Sequence, residues 1–161
     1  MVMTSPYRAL VASGGYAVIS VEPCVFCEIV AGRSPAEIVG TWPDATAFIS
    51  LDPVTPGHTL VVPNEHIADA VERPGATAMV MQRAAELASE YQYSNILTNT
   101  GTPAHQSVFH LHIHVIPRSA DDQLMLPWGT TGDPHAPHWC RVAERLQRQI
   151  DALLNQNDRT A

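Results

Sequence analysis

No lysine occurs anywhere in the 161 residues, so every side chain that can carry positive charge is an arginine or a histidine. That absence removes the phosphate lysine of a Walker-type loop and the amine of a Schiff-base mechanism. With a net charge of −7, it also excludes a broad nucleic-acid surface, which is built from clustered Lys and Arg. Any phosphate bound here is left to backbone N–H groups, histidines, amides, hydroxyls or arginine. Long apolar runs are missing too. Residues 9–21 are fairly apolar, but Ser13, Gly14, Gly15 and Ser20 interrupt them, no small-residue cleavage site closes them, and they are too short to span a bilayer. Residues 1–20 therefore read as a loosely ordered extension with a short strand around 16–21, and no membrane partner is expected. Cysteine is scarce and odd in number, three in all, with Cys24 and Cys27 separated by two residues. This reads as metal or redox chemistry in a reducing compartment, hence a cytoplasmic protein, rather than a secreted disulfide framework.

What is abundant is histidine in one place, Ser107-Val108-Phe109-His110-Leu111-His112-Ile113-His114-Val115-Ile116-Pro117-Arg118. Successive side chains on a strand point to opposite faces, so His110, His112 and His114 are expected on one face and Phe109, Leu111, Ile113 and Val115 on the other. At about 3.3 Å per residue, neighbouring histidines stand roughly 6.6 Å apart, close enough to serve one ligand. Such a row suits either a metal held by imidazoles or a phosphate attacked by a neutral imidazole whose companions bind its oxygens. The plainer alternative is a set of unrelated polar residues on a wetted sheet face.

The length fits one domain, residues 1–161, with its own core. Along it, 24–32 reads as a knuckle turning into a short helix that stops at Gly32. Short strands follow at Ile38-Val39 and 45–51, a loop dense in turn residues at 52–57, and a β-branched strand at 58–63. Met79, Val80, Arg83, Ala84, Leu87, Ala88 and Tyr91 recur at three- and four-residue steps, predicting a main helix over 75–93. A strand at 95–99, a glycine-containing loop at 100–105 and the histidine strand at 106–116 complete an α+β fold, an antiparallel sheet of about five strands with helices packed on it. Residues 119–161 read as a variable C-terminal region: an irregular segment with Trp128, then a helix over 138–155 whose Trp139, Val142, Leu146, Ile150 and Leu153 share a face, with Cys140 as a core thiol.

Taken in order, Cys24-x-x-Cys27, Ala47-Phe48, Pro56-Gly57-His58-Thr59-Leu60-Val61-Val62-Pro63, His66, Asn99-x-Gly101, Gln106-Ser107-Val108 and the His-x-His-x-His stretch resemble the HIT (histidine triad) family of nucleotide hydrolases and transferases, in its zinc-containing bacterial-type branch. The likeness covers residues 24–118. It implies that His112 is the nucleophile on the α-phosphate of a purine nucleotide, forming a nucleotidyl-histidine that water hydrolyses. It further implies that His114 and His58 hold phosphate oxygens, that Gln106 and Ser107 contact the phosphate or leaving group, and that Asn99 supports the site. The substrate class implied is a dinucleoside polyphosphate, a nucleoside phosphoramidate or an adenylylated adduct.

In zinc-containing relatives the pattern implies a structural zinc on Cys24, Cys27, His66 and His110, with no organic cofactor. A redox dithiol, two ordinary buried cysteines, or a catalytic zinc on all three triad histidines are the alternatives. Nucleotidyl transfer to phosphate, or a nucleotide-binding regulator with weak catalysis, are the other functional readings. The likeness also implies a homodimer. The chain departs from the pattern in two places: Ser50 stands where many members carry a ribose-binding aspartate, and His105 where a glycine is common.

Overall fold

The computed structural model describes residues 23–124, 144–152 and 155, and the chain divides into two units, Met1–Leu124 and Met125–Ala161. The first unit runs α1 (Val25–Val30), β1 (Ile38–Thr41), β2 (Ala45–Ile49), β3 (Thr59–Pro63), α2 (Pro74–Ala88), β4 (Ser94–Leu97), a 3-10 turn at Thr102–Ala104, and β5 (Ile113–Pro117). The strands form one five-stranded sheet in the order β1-β2-β3-β5-β4, every neighbouring pair antiparallel. This is the α+β architecture expected from the sequence. In the second unit residues 144–152 are helical, with Leu146 and Ile150 each about half exposed. The expectations placed on residues 1–20, Trp128, Trp139, Cys140, Val142 and Leu153 lie outside the described residues.

The two faces of the sheet bury different things. On one, Val80, Ala84 and Ala88 of α2, spaced four apart on one stripe, close over Ala45, Ala47, Val61, Ile113 and Val115, joined by Ile67 and Leu111. On the other, Phe26 of α1 packs with Phe48, Leu60 and Val62. Because strand side chains alternate, the register Leu60↔His114 and Val61↔Ile113 puts His114 on the α1 face and its apolar neighbours on the α2 face. Phe109, expected among the core residues, is only partly buried.

Two element boundaries differ most from expectation. The helix predicted to run to residue 93 stops at Ala88: Ser89 donates to Ala85 O and Tyr91 to Ala88 O, and the chain must straighten by Ser94 to pair as β4. More consequential is β5, which covers 113–117 and not 106–116. Residues 110–112 lie outside the ladder, with His110 at a bend, because their backbone groups are taken elsewhere. The Leu111 N–H donates to Ile67 O at 2.6 Å, the His110 carbonyl accepts from His112 Nδ1 at 2.7 Å, and the His112 carbonyl accepts from the Thr98 hydroxyl at 2.8 Å. Only His114 of the three sits on a strand.

Candidate active site and metal centre

Each histidine of the cluster has at least one ring nitrogen engaged by the protein, and that contact selects the tautomer. His112 donates Nδ1–H to the His110 carbonyl, which leaves a lone pair on Nε2. His110 donates Nε2–H to the Pro63 carbonyl at 3.0 Å, which turns a lone pair at Nδ1 toward the cysteines. The Val54 N–H donates to His58 Nδ1 at 3.3 Å, so His58 carries its proton on Nε2 and gives it to His114 Nδ1 at 2.9 Å. His114 must then carry its own proton on Nε2, and that atom is buried without a partner among the described residues. A buried orphan donor costs about 1–3 kcal/mol unless something accepts from it.

Burial keeps these rings neutral. It lowers the pKa of His112 and of His58 below the ordinary 6.5; burial, then the neighbouring His112 and His58, push His114 down to about 4. The rings are close: His112 and His114 have centroids 5.0 Å apart at 68°, and His58 stacks on His114 at 5.2 Å. The result is a neutral nucleophile-type nitrogen next to an unpaired N–H, in a chain without lysine.

The second constellation is Cys24, Cys27, His66 and His110, whose ligand atoms all lie within 4.8 Å of one another. Cys27 Sγ is 3.3 Å from His66 Nδ1 and 3.4 Å from His110 Nδ1, and Cys24 Sγ is 3.4 Å from His110 Nδ1. A tetrahedral zinc with S and N ligands places them about 3.6 Å apart, so the four residues fit that ion. The Pro63 carbonyl on the far nitrogen of His110 is the outer-shell contact that metal-bound imidazoles require. Burial, with Cys24 beside it, pushes the Cys27 thiol up to about 11; a cation offsets that cost and favours the thiolate. His66 is positioned by its loop, which Asn64 anchors to Trp42 O, Pro43 O and Thr46 Oγ1.

The remaining sequence candidates are placed as follows. Gln106 is 2 % exposed; it accepts from the Gly101 N–H and donates to Ala68 O and Val108 O, bracing the 101–106 loop. Ser107 is exposed, while Ser50 and Asn99 are partly buried. Ser50 touches the histidine cluster through its backbone, donating to His58 O at 2.9 Å. His105 has φ +66°, a left-handed conformation that explains why a glycine suits this position. Three contributors went unread in the sequence: Phe26, taken there only as part of the short 24–32 helix, and Thr98 and Val54, which act through a hydroxyl and a backbone N–H. A hydroxyl just past the end of β4 and a loop N–H carry no motif by which they are found.

A family model described as the HIT domain matches residues 31–121. The chain belongs to the HIT domain family. Its relatives include an uncharacterized HIT-like protein of Mycobacterium tuberculosis, 34% identical over 139 residues, covering 81% of this chain and 96% of that one. The protein named hit of Bacillus subtilis is 37% identical over 124 residues, covering 72% and 86%. Two relatives carry activity names, an adenosine 5'-monophosphoramidase of Schizosaccharomyces pombe, 32% identical, covering 62% of this chain and 77% of its own, and an adenylylsulfatase of Arabidopsis thaliana, 32% identical, covering 63% and 55%. Among solved structures, one from Streptococcus mutans matches with a TM-score of 0.71 at 30% identity, covering 91% of this HIT protein and 99% of that chain. A zinc-bound histidine triad family protein of Mycobacterium smegmatis matches at 0.58 and 35%, covering 81% and 97%. Cys24 and Cys27 precede the matched residues 31–121, so the four-residue cluster joins a segment outside the family match to one inside it.

Proposed function

We propose that this HIT protein is a nucleotide hydrolase cleaving at the α-phosphate of a nucleoside monophosphate ester or amide through a nucleotidyl-histidine. The observation that carries the reading is that, among the described residues, His112 Nε2 and the buried Nε2–H of His114 both have no hydrogen-bond partner. In the first step His112 Nε2 attacks phosphorus, forming an N–P bond while the bond to the leaving group breaks and its electron pair departs. Water then attacks phosphorus, the N–P bond breaks, and Nε2 recovers its lone pair; the hydroxyl part of the water ends on phosphorus and the other proton on the leaving group. His114 donates Nε2–H to a non-bridging oxygen as charge develops there. His58 acts one step back, because both its nitrogens are committed and it sets the proton position of His114. We assign Ser107 and the backbone of the 101–106 loop to the phosphate or leaving group, Gln106 to the shape of that loop, Asn99 to its support and Ser50 to the ribose.

Adenosine-linked substrates are the first choice, on the names of the two relatives with stated activities. Cys24, Cys27, His66 and His110 would hold zinc as a structural ion that fixes the knuckle and the His110 ring; thiol ligands suit the reducing cytoplasm. In the decisive experiment an adenosine phosphoramidate or diadenosine polyphosphate is mixed with the protein and quenched without acid. A mass increment of one nucleotide on His112 and loss of turnover in His112→Ala are expected. Full turnover in His112→Ala would overturn the assignment.

A further inference from the structure

Between the two constellations stands one ring. Phe26 is carried on α1 between Cys24 and Cys27, is 7 % exposed, and meets three other rings edge to face. Its centroid lies 5.3 Å from His112 at 79°, 5.9 Å from His110 at 71°, and 5.4 Å from Phe48 at 60°. Edge-to-face contacts prefer a fixed interplanar angle, so a ring held this way restricts its neighbour's rotation about χ2. Among the described residues His112 has a ring hydrogen bond at Nδ1 alone, which fixes one point of the imidazole but leaves its tilt to packing. We propose that Phe26 is a positioning residue that holds the plane of the His112 imidazole and carries the state of the Cys24–Cys27–His66–His110 site to it. The inference rests on the reading of His112 as nucleophile.

The mechanical argument is short. α1 has six residues and no side-chain cap at its N-terminus, so it is too short to hold its own conformation. Its first turn contains Phe26 and Cys27 and is preceded by Cys24. A cation drawing those two sulfurs to His66 and His110 also fixes where Phe26 enters the space between His110 and His112. An attacking nitrogen misaligned by about an ångström loses rate by about a hundredfold while binding is little changed. Phe26 is thus expected to act on kcat.

The test uses the full chain with measured zinc, histidine rings labelled with carbon-13, and the His112 ring resonance assigned by its loss in His112→Ala. Chelation of the zinc is expected to move that resonance by more than its linewidth. In zinc-loaded Phe26→Leu, kcat on an adenosine phosphoramidate is expected to fall about tenfold or more with KM within about threefold, and chelation is expected to move the resonance less than half as far. The proposal is overturned if the resonance is unmoved by chelation in the wild type. A full-sized response in Phe26→Leu also overturns it, since the coupling then runs through the His110 carbonyl. So does a rise in KM with kcat unchanged, which makes the ring a wall of the ligand pocket. Failure of the nucleophile reading shows separately, as turnover in His112→Ala, and leaves the wild-type resonance shift as it is.

Discussion

At the scale of single residues, four imidazoles have their proton positions dictated by neighbours. Pro63 O, His110 O and Val54 N–H direct three of them and His58 directs the fourth. His58→Ala removes the group that places the His114 proton, and kcat is expected to drop about a hundredfold with a small change in KM, read from steady-state kinetics. The reaction needs these rings neutral. Because burial lowers the pKa of His112 and His58, and His114 to about 4, the acid limb of kcat/KM is expected below pH 6.5, with activity rising as pH rises through it.

Stability follows the same sign. His114 unfolded binds a proton near its ordinary 6.5 and folded only near 4, so between those values the unfolded chain holds more protons. Its contribution, on the order of 2 kcal/mol after allowance for partial exposure, is complete above pH 6.5 and lost as pH falls toward 4. Urea titrations from pH 7 to 4 measure it. Gly57 is a second single-residue constraint: its φ is +85°, and a Cβ there would lie 3.2 Å from Pro117 Cγ and 3.3 Å from the Tyr91 hydroxyl. Gly57→Ala is expected to cost about 1–3 kcal/mol in denaturant unfolding, with His58 next to it displaced.

Elements were legible where side-chain periodicity decides them and less so where backbone bonding does. The alternation of Leu111, Ile113 and Val115 against His110, His112 and His114 survives in the structure, since the apolar set is in the α2-side core. The strand itself does not extend over it. Nothing in the residue types at 110–112 says that Ile67 O and the Thr98 hydroxyl take over the work of ladder partners. The four metal-type ligands could be chosen from spacing and resemblance because thiol and imidazole are chemically distinctive. The buried amide of Gln106, engaged by Gly101 and Val108 nearby and by Ala68 O from a distant segment, looks in sequence like any other glutamine. Thr98→Val tests the element-scale account. It removes the 2.8 Å bond to His112 O and leaves a carbonyl unpaired, and a loss of about 1 kcal/mol is expected in thermal or urea unfolding.

For the whole molecule, the sheet order leaves β1 and β4 as edges, and Tyr93, immediately before β4, is 58 % exposed. We propose a homodimer formed on the β4 side with α2, and expect light scattering to give twice the chain mass. Tyr93→Lys is expected to shift the population toward monomer. Cys24 and His110 are 86 residues apart in the chain, and the segment between them contains α1, β1 to β4 and α2. A cation tying those ends together closes one long loop around nearly the whole first unit, as a single cross-link does. Because that ion binds the folded site and not the unfolded chain, its binding free energy adds directly to the stability of the segment it closes. Removing the metal should therefore lower the stability of every strand inside that loop, far beyond the knuckle that binds it.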